Sequence, residues 1–174
     1  IGSPPMNFLP ATVHEDHLEL PMVNAPIPES AREELAGKKV VIVGLRPEHI
    51  KDADATPPPE DAVSFTSVVD VTEWLGNEQY AYVPFQSDPS VQRTLEELDR
   101  DLDGEGMRTQ FVVNLDPRSQ ILEGEEADLY FMPESMMVFD PESGRNLTRD
   151  EANAKRIAER SEAASKRALE RAKD

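Results

Sequence analysis

The sequence of 174 residues contains no cysteine, and this absence excludes several kinds of site. Disulfides, thiolate-bound metals, iron–sulfur clusters and a cysteine nucleophile all need a sulfur atom that the chain does not supply. No apolar run approaches the ~20 residues that a membrane-spanning helix needs. The longest run, Val40–Leu45, has the length of a strand. The sequence therefore predicts a soluble chain without direct membrane insertion.

Basic residues are also few. The chain has 18 Lys and Arg against 35 Asp and Glu, a formal net charge of −17. Such a surface repels nucleic-acid phosphates and anionic lipid headgroups. An oligonucleotide-binding barrel would need a basic groove with stacking aromatics, and the sequence shows neither. Nucleic acid is therefore excluded as an expected direct partner.

Phosphate-binding and catalytic patterns are missing as well. The eight glycines form no G-x-x-x-x-G-K-[ST] loop, so no backbone cradle for nucleotide phosphates is expected. Scattered serines, histidines and carboxylates show no spacing that places a nucleophile against a base. The sequence predicts a chain that is not an enzyme on its own, with no catalytic residue and no bound cofactor.

Charge divides the chain into two parts. Residues 1–148 hold 29 acids and 10 bases, net −19, whereas residues 149–174 hold 6 acids and 8 bases, net +2. The second part lacks Gly and Pro, is rich in Ala, and has only Ile157 and Leu169 as large apolar residues. We predict a charged helical tail over 149–174, without an apolar stripe to bury.

Residues 1–148 show short β-rich runs separated by Pro and Gly. Strand-forming residues concentrate in at least seven runs, which predicts a mainly β fold, a small closed or half-closed barrel with short helices. The predicted elements are a hairpin over 11–20, a short helix over 28–37, a strand over 38–45, a hairpin over 62–85, a helix over 90–98, and strands over 109–115, 127–132 and 136–139.

Two groups of residues have the chemistry of metal ligands. Asp99, Asp101 and Asp103 precede Gly104 as in the first half of a calcium loop, but the twelfth position is Gln110 instead of a bidentate Glu. His14 and His17 flank two carboxylates, yet an i+3 spacing in a hairpin is expected to point them to opposite faces. We therefore expect a solvated acidic loop at 99–104 and no metal at either place.

Four motifs carry a resemblance to a known family. Residues 2–10, 44–49, 71–78 and 139–144, in this order, resemble the C-terminal regulatory region of ATP-binding subunits from bacterial carbohydrate ABC importers of the maltose type. The resemblance implies OB-like (TOBE) barrels over residues 1–148. Its motif residues, which we take as interface candidates, are Arg46, Pro47, Glu48, Trp74, Gly76, Asp140 and Gly144.

The resemblance also implies a role and partners. It implies a non-catalytic regulatory and dimerisation domain that contacts a second ATPase subunit and receives cytoplasmic regulatory proteins. ATP, magnesium and the permease subunits would be bound by a separate ATPase domain, at the inner face of the membrane. Because the chain starts at Ile1 and lacks the phosphate loop, we expect it to be part of a longer protein.

The sequence alone leaves alternatives open for the function and for the roles of Trp74 and Arg46. Related barrels of oxyanion importers sense small anions, although the net charge of −17 opposes an anion site. Trp74 fits either a recognition surface or core packing at a barrel corner, with Gly76 supplying the turn. For Arg46 we favour a structural role in which Pro47 ends a strand and the guanidinium pairs with a local carboxylate or carbonyl.

Overall fold

The computed structural model describes residues 4–86, 89, 93, 110–148 and 151–173. Eleven strands lie in these ranges, in three antiparallel sheets and not in one closed barrel. The first sheet has five strands in the order β11-β4-β1-β2-β3. Its members are β1 (Asn7–Val13), β2 (His17–Glu19), β3 (Asn24–Pro26), β4 (Val40–Leu45) and β11 (Met137–Phe139).

The other two sheets have three strands each. The second has the order β5-β10-β6, from β5 (Lys51–Asp52), β6 (Val63–Val68) and β10 (Glu126–Phe131). The third has the order β7-β8-β9, from β7 (Val71–Leu75), β8 (Glu78–Pro84) and β9 (Gln110–Leu115). The mainly β prediction and both predicted hairpins are confirmed, and β3 and β5 are additional short strands.

Two predicted elements differ in the structure. The β-rich run over 62–74 is divided at Val69 and Asp70, so that its halves belong to different sheets. The predicted helix over 28–37 is a single 3-10 turn, Glu29–Ala31, followed by turns that end at Gly37, whose φ is +80°. The predicted helix over 90–98 lies outside the described residues, apart from Arg93, which is helical.

One continuous core joins the three sheets. The Phe65 ring of β6 contacts Phe111 of β9 and Phe131 of β10, with centroid distances of 6.0 and 6.2 Å. Residues from Leu9 to Leu147 contribute to this core. The end of the core at Leu147 agrees with the predicted boundary at residue 148, which stays a prediction.

Asn7 connects the first sheet to the third. It is 1% exposed, its Nδ2 donates to the Val112 carbonyl at 2.8 Å, and its Oδ1 accepts from the Val112 N–H at 2.7 Å. Val112 belongs to β9, whose other edge pairs with β8. One side chain thus satisfies both backbone groups of Val112 on the open edge of β9.

The C-terminal helix, α1 (Glu151–Arg171), is confirmed. Every side chain described in it, from Lys155 onward, is exposed to solvent. Within the described ranges, no helix combines the length and the apolar character required to cross a bilayer.

Candidate functional site

The turn after β4 contains the first group of candidate residues. Pro47 is buried and begins a 3-10 turn, in which the His49 N–H donates to the Arg46 carbonyl at 3.0 Å. Among the described residues, no carboxylate lies within ion-pair distance of the exposed Arg46 guanidinium. No hydrogen bond from this guanidinium to a carbonyl is found in the described residues either, so the predicted pairing of Arg46 with a local carboxylate or carbonyl is wrong, and backbone hydrogen bonds form the turn. Arg46 and Glu48 are left as exposed surface charges.

The β7–β8 hairpin contains the second group. Leu75 pairs with Glu78 across a two-residue turn, in which Gly76 has a φ of +64°. A side chain at this φ would be strained, so the predicted turn role of Gly76 is confirmed. Trp74 is 66% exposed. Core packing of Trp74 is therefore excluded, and the surface alternative remains.

The turn after β11 contains Asp140 and Gly144. The Asp140 carboxylate accepts from the Glu142 N–H at 2.9 Å and from Lys38 Nζ at 3.0 Å. The Gly144 N–H donates to the Asp140 carbonyl at 2.8 Å, and Gly144 has a φ of +72°. Lys38 precedes β4, so this carboxylate anchors the last turn of the first sheet to the start of the neighbouring strand β4.

Asp140 makes a pH-dependent contribution to stability. The Glu142 N–H and the Lys38 ammonium lower the pKa of its carboxyl group from the ordinary 3.8. A group with a lowered folded-state pKa stabilises the fold above its unfolded pKa, and the stabilisation is lost as pH falls through the folded pKa. Asp140→Asn should therefore destabilise the chain at pH 7, by a difference that shrinks below about pH 4.

Urea unfolding of wild type and Asp140→Asn, repeated from pH 7 downward, measures this difference. Asp61→Asn is the matched control because Asp61 is exposed, and it should change little at any pH. A stability difference for Asp140→Asn that stays constant as the pH falls would contradict an ionic origin.

The two histidines of the first hairpin are closer than predicted. The rings of His14 and His17 are stacked, with a centroid distance of 4.5 Å and an interplanar angle of 15°. The expectation that they point to opposite faces is wrong, because His14 lies in the turn and not on a strand. In the described ranges, no three His, Asp or Glu side chains form a group that could hold a metal ion. Asp99, Asp101 and Asp103 lie outside the described residues.

A polar cleft of about 360 Å³ was missed by sequence reasoning. At its wall, Asp52 is 4% exposed and accepts from Ser119 Oγ at 2.7 Å and from the Asp54 N–H at 3.0 Å. Arg118 also lines the cleft, but its guanidinium is held by Asp116, and this contact lowers the pKa of the Asp116 carboxyl to about 2. No motif indicated this cleft, because its residues come from segments more than 60 positions apart.

The three candidate turns do not form one site. Arg46 and Asp140 follow strands of the first sheet, whereas Trp74 lies in the third. In the described part of the chain, no hydrogen bond or ion pair joins any two of these turns. They are three separate surface features.

Comparisons with known proteins show which proteins the chain is similar to. Residues 2–50 match the MalK OB fold domain family. The chain is 34% identical over 155 residues to the trehalose import ATP-binding protein SugC of Mycobacterium tuberculosis (strain H37Rv), which covers 85% of this chain and 39% of that protein. The chain is related to the ATP-binding subunits of bacterial carbohydrate importers. The resemblance stated from the four motifs is confirmed.

Further matches define the extent of the relationship. Escherichia coli K12 MalK, a maltose/maltodextrin import ATP-binding protein, is 34% identical over 103 residues, 55% of this chain and 25% of MalK. The chain thus spans less than half the length of the curated relatives that it matches. The cytoplasmic molybdate-binding protein ModG shares the fold with a TM-score of 0.51 and 11% identity, over 76% of this chain and 94% of ModG.

Proposed function

We propose that residues 1–148 form a non-catalytic regulatory and dimerisation domain of the ATP-hydrolysing subunit of a carbohydrate importer. The similarity to SugC over 85% of this chain carries the proposal. The missing phosphate-binding loop supports it, because the ATPase chemistry of such a subunit must then lie in another domain. The full subunit would act beside the permease, on the cytoplasmic side of the membrane.

Surface features support a binding role. Trp74 is largely exposed, and tryptophan is enriched among the residues that contribute most to protein interfaces. Arg46 and Glu48 are exposed on the 3-10 turn that follows β4. These are the groups through which a second subunit or a cytoplasmic regulatory protein would be contacted.

Dimerisation is tested by sedimentation of the chain at several salt concentrations. Each copy carries a net charge of −17, so two copies repel each other at long range. We expect association to strengthen as ionic strength rises from about 0.01 M to 0.15 M, because the screening length falls from about 30 to 8 Å. A chain that stays monomeric at 0.15 M salt and high concentration would overturn the dimerisation role.

Nucleotide binding provides a second test. Calorimetric titration of the chain with ATP and magnesium should show no binding heat, because the sequence has no phosphate-binding loop. Micromolar affinity for ATP would contradict the assignment of the ATPase chemistry to another domain.

The shared fold with ModG favours anion sensing as a second candidate function. The polar cleft does not suit it, since Asp52, Asp54, Glu125 and Glu126 face the cleft and its arginine is paired with Asp116. Titration with molybdate or sulfate distinguishes the two functions. Binding of either anion by the chain would favour the sensor.

A further inference from the structure

The three sheets have two edge strands each in the described part of the chain. An edge strand exposes backbone N–H and C=O groups that can pair with another chain, and most proteins protect such edges. Two of the edges are short, because β5 has two residues and β3 has three and ends at Pro26, which has no N–H. A third, β11, is covered by the segment that follows it, since the Leu147 N–H donates to the Val138 carbonyl at 2.6 Å.

Side chains bond to the backbone of two further edges. Asn7 bonds both backbone groups of Val112 on β9. On β7, the Thr72 N–H donates to Glu123 Oε1 at 2.8 Å, and Glu73 places a charge within the strand. These five edges are therefore short, covered or bonded. Within the described residues, the edge of β6 has none of these protections.

The pairing of β6 with β10 shows which of its backbone groups are open. The Ala53 N–H donates to the Asp128 carbonyl at 2.9 Å, so the backbone groups of Asp128 face β5. Thr66 lies opposite Asp128 and therefore makes no backbone hydrogen bond to β10. Because this pattern alternates along the strand, the N–H and C=O groups of Ser64, Thr66 and Val68 point away from β10. In the described ranges, no hydrogen bond reaches these groups.

The residues of β6 suit pairing with another strand. The strand reads Val-Ser-Phe-Thr-Ser-Val, without charge or proline, and its register with β10 is continuous from Val63 to Val68. Val, Phe and Thr favour the extended conformation. Ser64, Thr66 and Val68 are exposed to solvent. This uncharged and accessible edge is therefore available for the addition of a strand.

Charge favours a second copy of β6 as the added strand. Each copy carries a net charge of −17, so a contact between copies is opposed wherever carboxylates meet. The first charged residues on either side of β6 are Asp61 and Asp70, and both lie outside the strand. In an antiparallel pair centred on Thr66, Ser64 lies opposite Val68 of the second copy. No carboxylate of one β6 strand then faces a carboxylate of the other.

We propose that two copies associate by antiparallel pairing of their β6 strands, centred on Thr66, so that the two β5-β10-β6 sheets become one continuous sheet. In this register the open N–H and C=O groups of Ser64, Thr66 and Val68 form about six hydrogen bonds. The contact is the same on both copies, as two-fold symmetry requires. The proposal rests on the dimerisation role proposed above and names the strand that provides it.

The β6 contact agrees with the salt dependence expected of dimerisation. Asp128 lies next to Thr66 on β10, so the Asp128 residues of the two copies would be three strand spacings, about 14 Å, apart. This distance is shorter than the screening length of about 30 Å at 0.01 M salt and longer than the length of about 8 Å at 0.15 M. Repulsion between these carboxylates therefore opposes pairing at low salt and is largely screened at 0.15 M.

The first experiment measures dimerisation of the whole chain by sedimentation at about 0.15 M salt. Thr66→Pro removes an N–H that faces away from β10, so the monomer loses no hydrogen bond between its own strands. Thr66→Val is the matched control, since it also loses the hydroxyl that donates to Asp128 but keeps the N–H. We expect Thr66→Pro to weaken dimerisation at least about tenfold and Thr66→Val less than about threefold. Circular dichroism checks that both variants fold.

The second experiment uses cross-linking and does not depend on proline. The chain has no cysteine of its own, so a single introduced thiol can link only to a second copy. Thr66→Cys places two thiols opposite each other, at a Cα separation of about 5.5 Å that a disulfide spans. Ser64→Cys is the matched control on the same exposed edge, because its two copies would be roughly 14 Å apart. We expect Thr66→Cys to form a linked dimer in air and Ser64→Cys to stay largely unlinked.

The results separate the β6 contact from the dimerisation role. If wild type dimerises and Thr66→Pro dimerises equally well, pairing of β6 is overturned while the dimerisation role stands. Linking of Ser64→Cys as readily as Thr66→Cys would overturn the pairing in the same way. A wild type that stays monomeric at 0.15 M salt and high concentration overturns both.

Discussion

Replacing Asn7 by Leu is expected to lower the free energy of unfolding by about 2–5 kcal/mol, since a buried backbone group without a partner costs about 1–3 kcal/mol. Leucine has nearly the size of asparagine but can neither donate to the Val112 carbonyl nor accept from the Val112 N–H. Both backbone groups of Val112 would then remain buried without partners. The first and third sheets would also lose the polar link between them.

Urea unfolding and thermal melting measure the effect of Asn7→Leu. A loss of this size should lower Tm by roughly 5–15 °C for a chain of this length. Asn24→Ala is the matched control, because Asn24 is exposed on the edge strand β3 of the same sheet, and it should change stability by less than about 0.5 kcal/mol. If Asn7→Leu behaved like the control, the Asn7 side chain would not be what joins the two sheets.

The sequence predicts elements whose pattern is local. The strand over 38–45 was predicted from a continuous Val and Ile run, and the structure places β4 between β11 and β1, with Val41 and Val43 fully buried. Gly76 and Gly144 were assigned to turns, and both have positive φ. In each case, the residues that determine the conformation are neighbours in the chain.

Features that depend on distant residues were not predictable in this way. β5 is two residues long and exists because Lys51 and Asp52 pair with β10, about 80 positions later. Asn7 belongs to a family motif, but its role requires Val112, which is 105 residues away. The polar cleft likewise combines Asp52 with residues after 117.

The solvent exposure of Trp74 was also not predictable from the sequence. The same residue type suits a core or an interface, so Trp74 remained undecided until the structure showed it on an edge strand. The position of Trp74 becomes informative only when its neighbours in the sheet are known.

The second large effect on stability is expected at Gly44, where a larger side chain would have to displace its neighbours. Gly44 lies on β4 and pairs with Phe8 of β1 on one side and with Met137 of β11 on the other. A Cβ there would lie 2.9 Å from the Phe139 ring and even closer to the Met6 sulfur. Phe8 and Phe139 meet edge to face over the same strand, with centroids 5.8 Å apart. The space above Gly44 is therefore already filled.

Gly44→Val is expected to destabilise the chain by about 1–3 kcal/mol, because overpacking forces neighbours out of their preferred rotamers. Ser64→Val is the control, since it adds a β-branched residue on the exposed face of β6 and should change stability little.

A double-mutant cycle of Gly44→Ala with Met6→Ala then locates the strain. Met6 is a flexible side chain at the closest approach, so its removal should recover part of the loss as a favourable coupling energy. Strictly additive losses would instead assign the strain to the Phe139 ring, which Met6→Ala leaves in place.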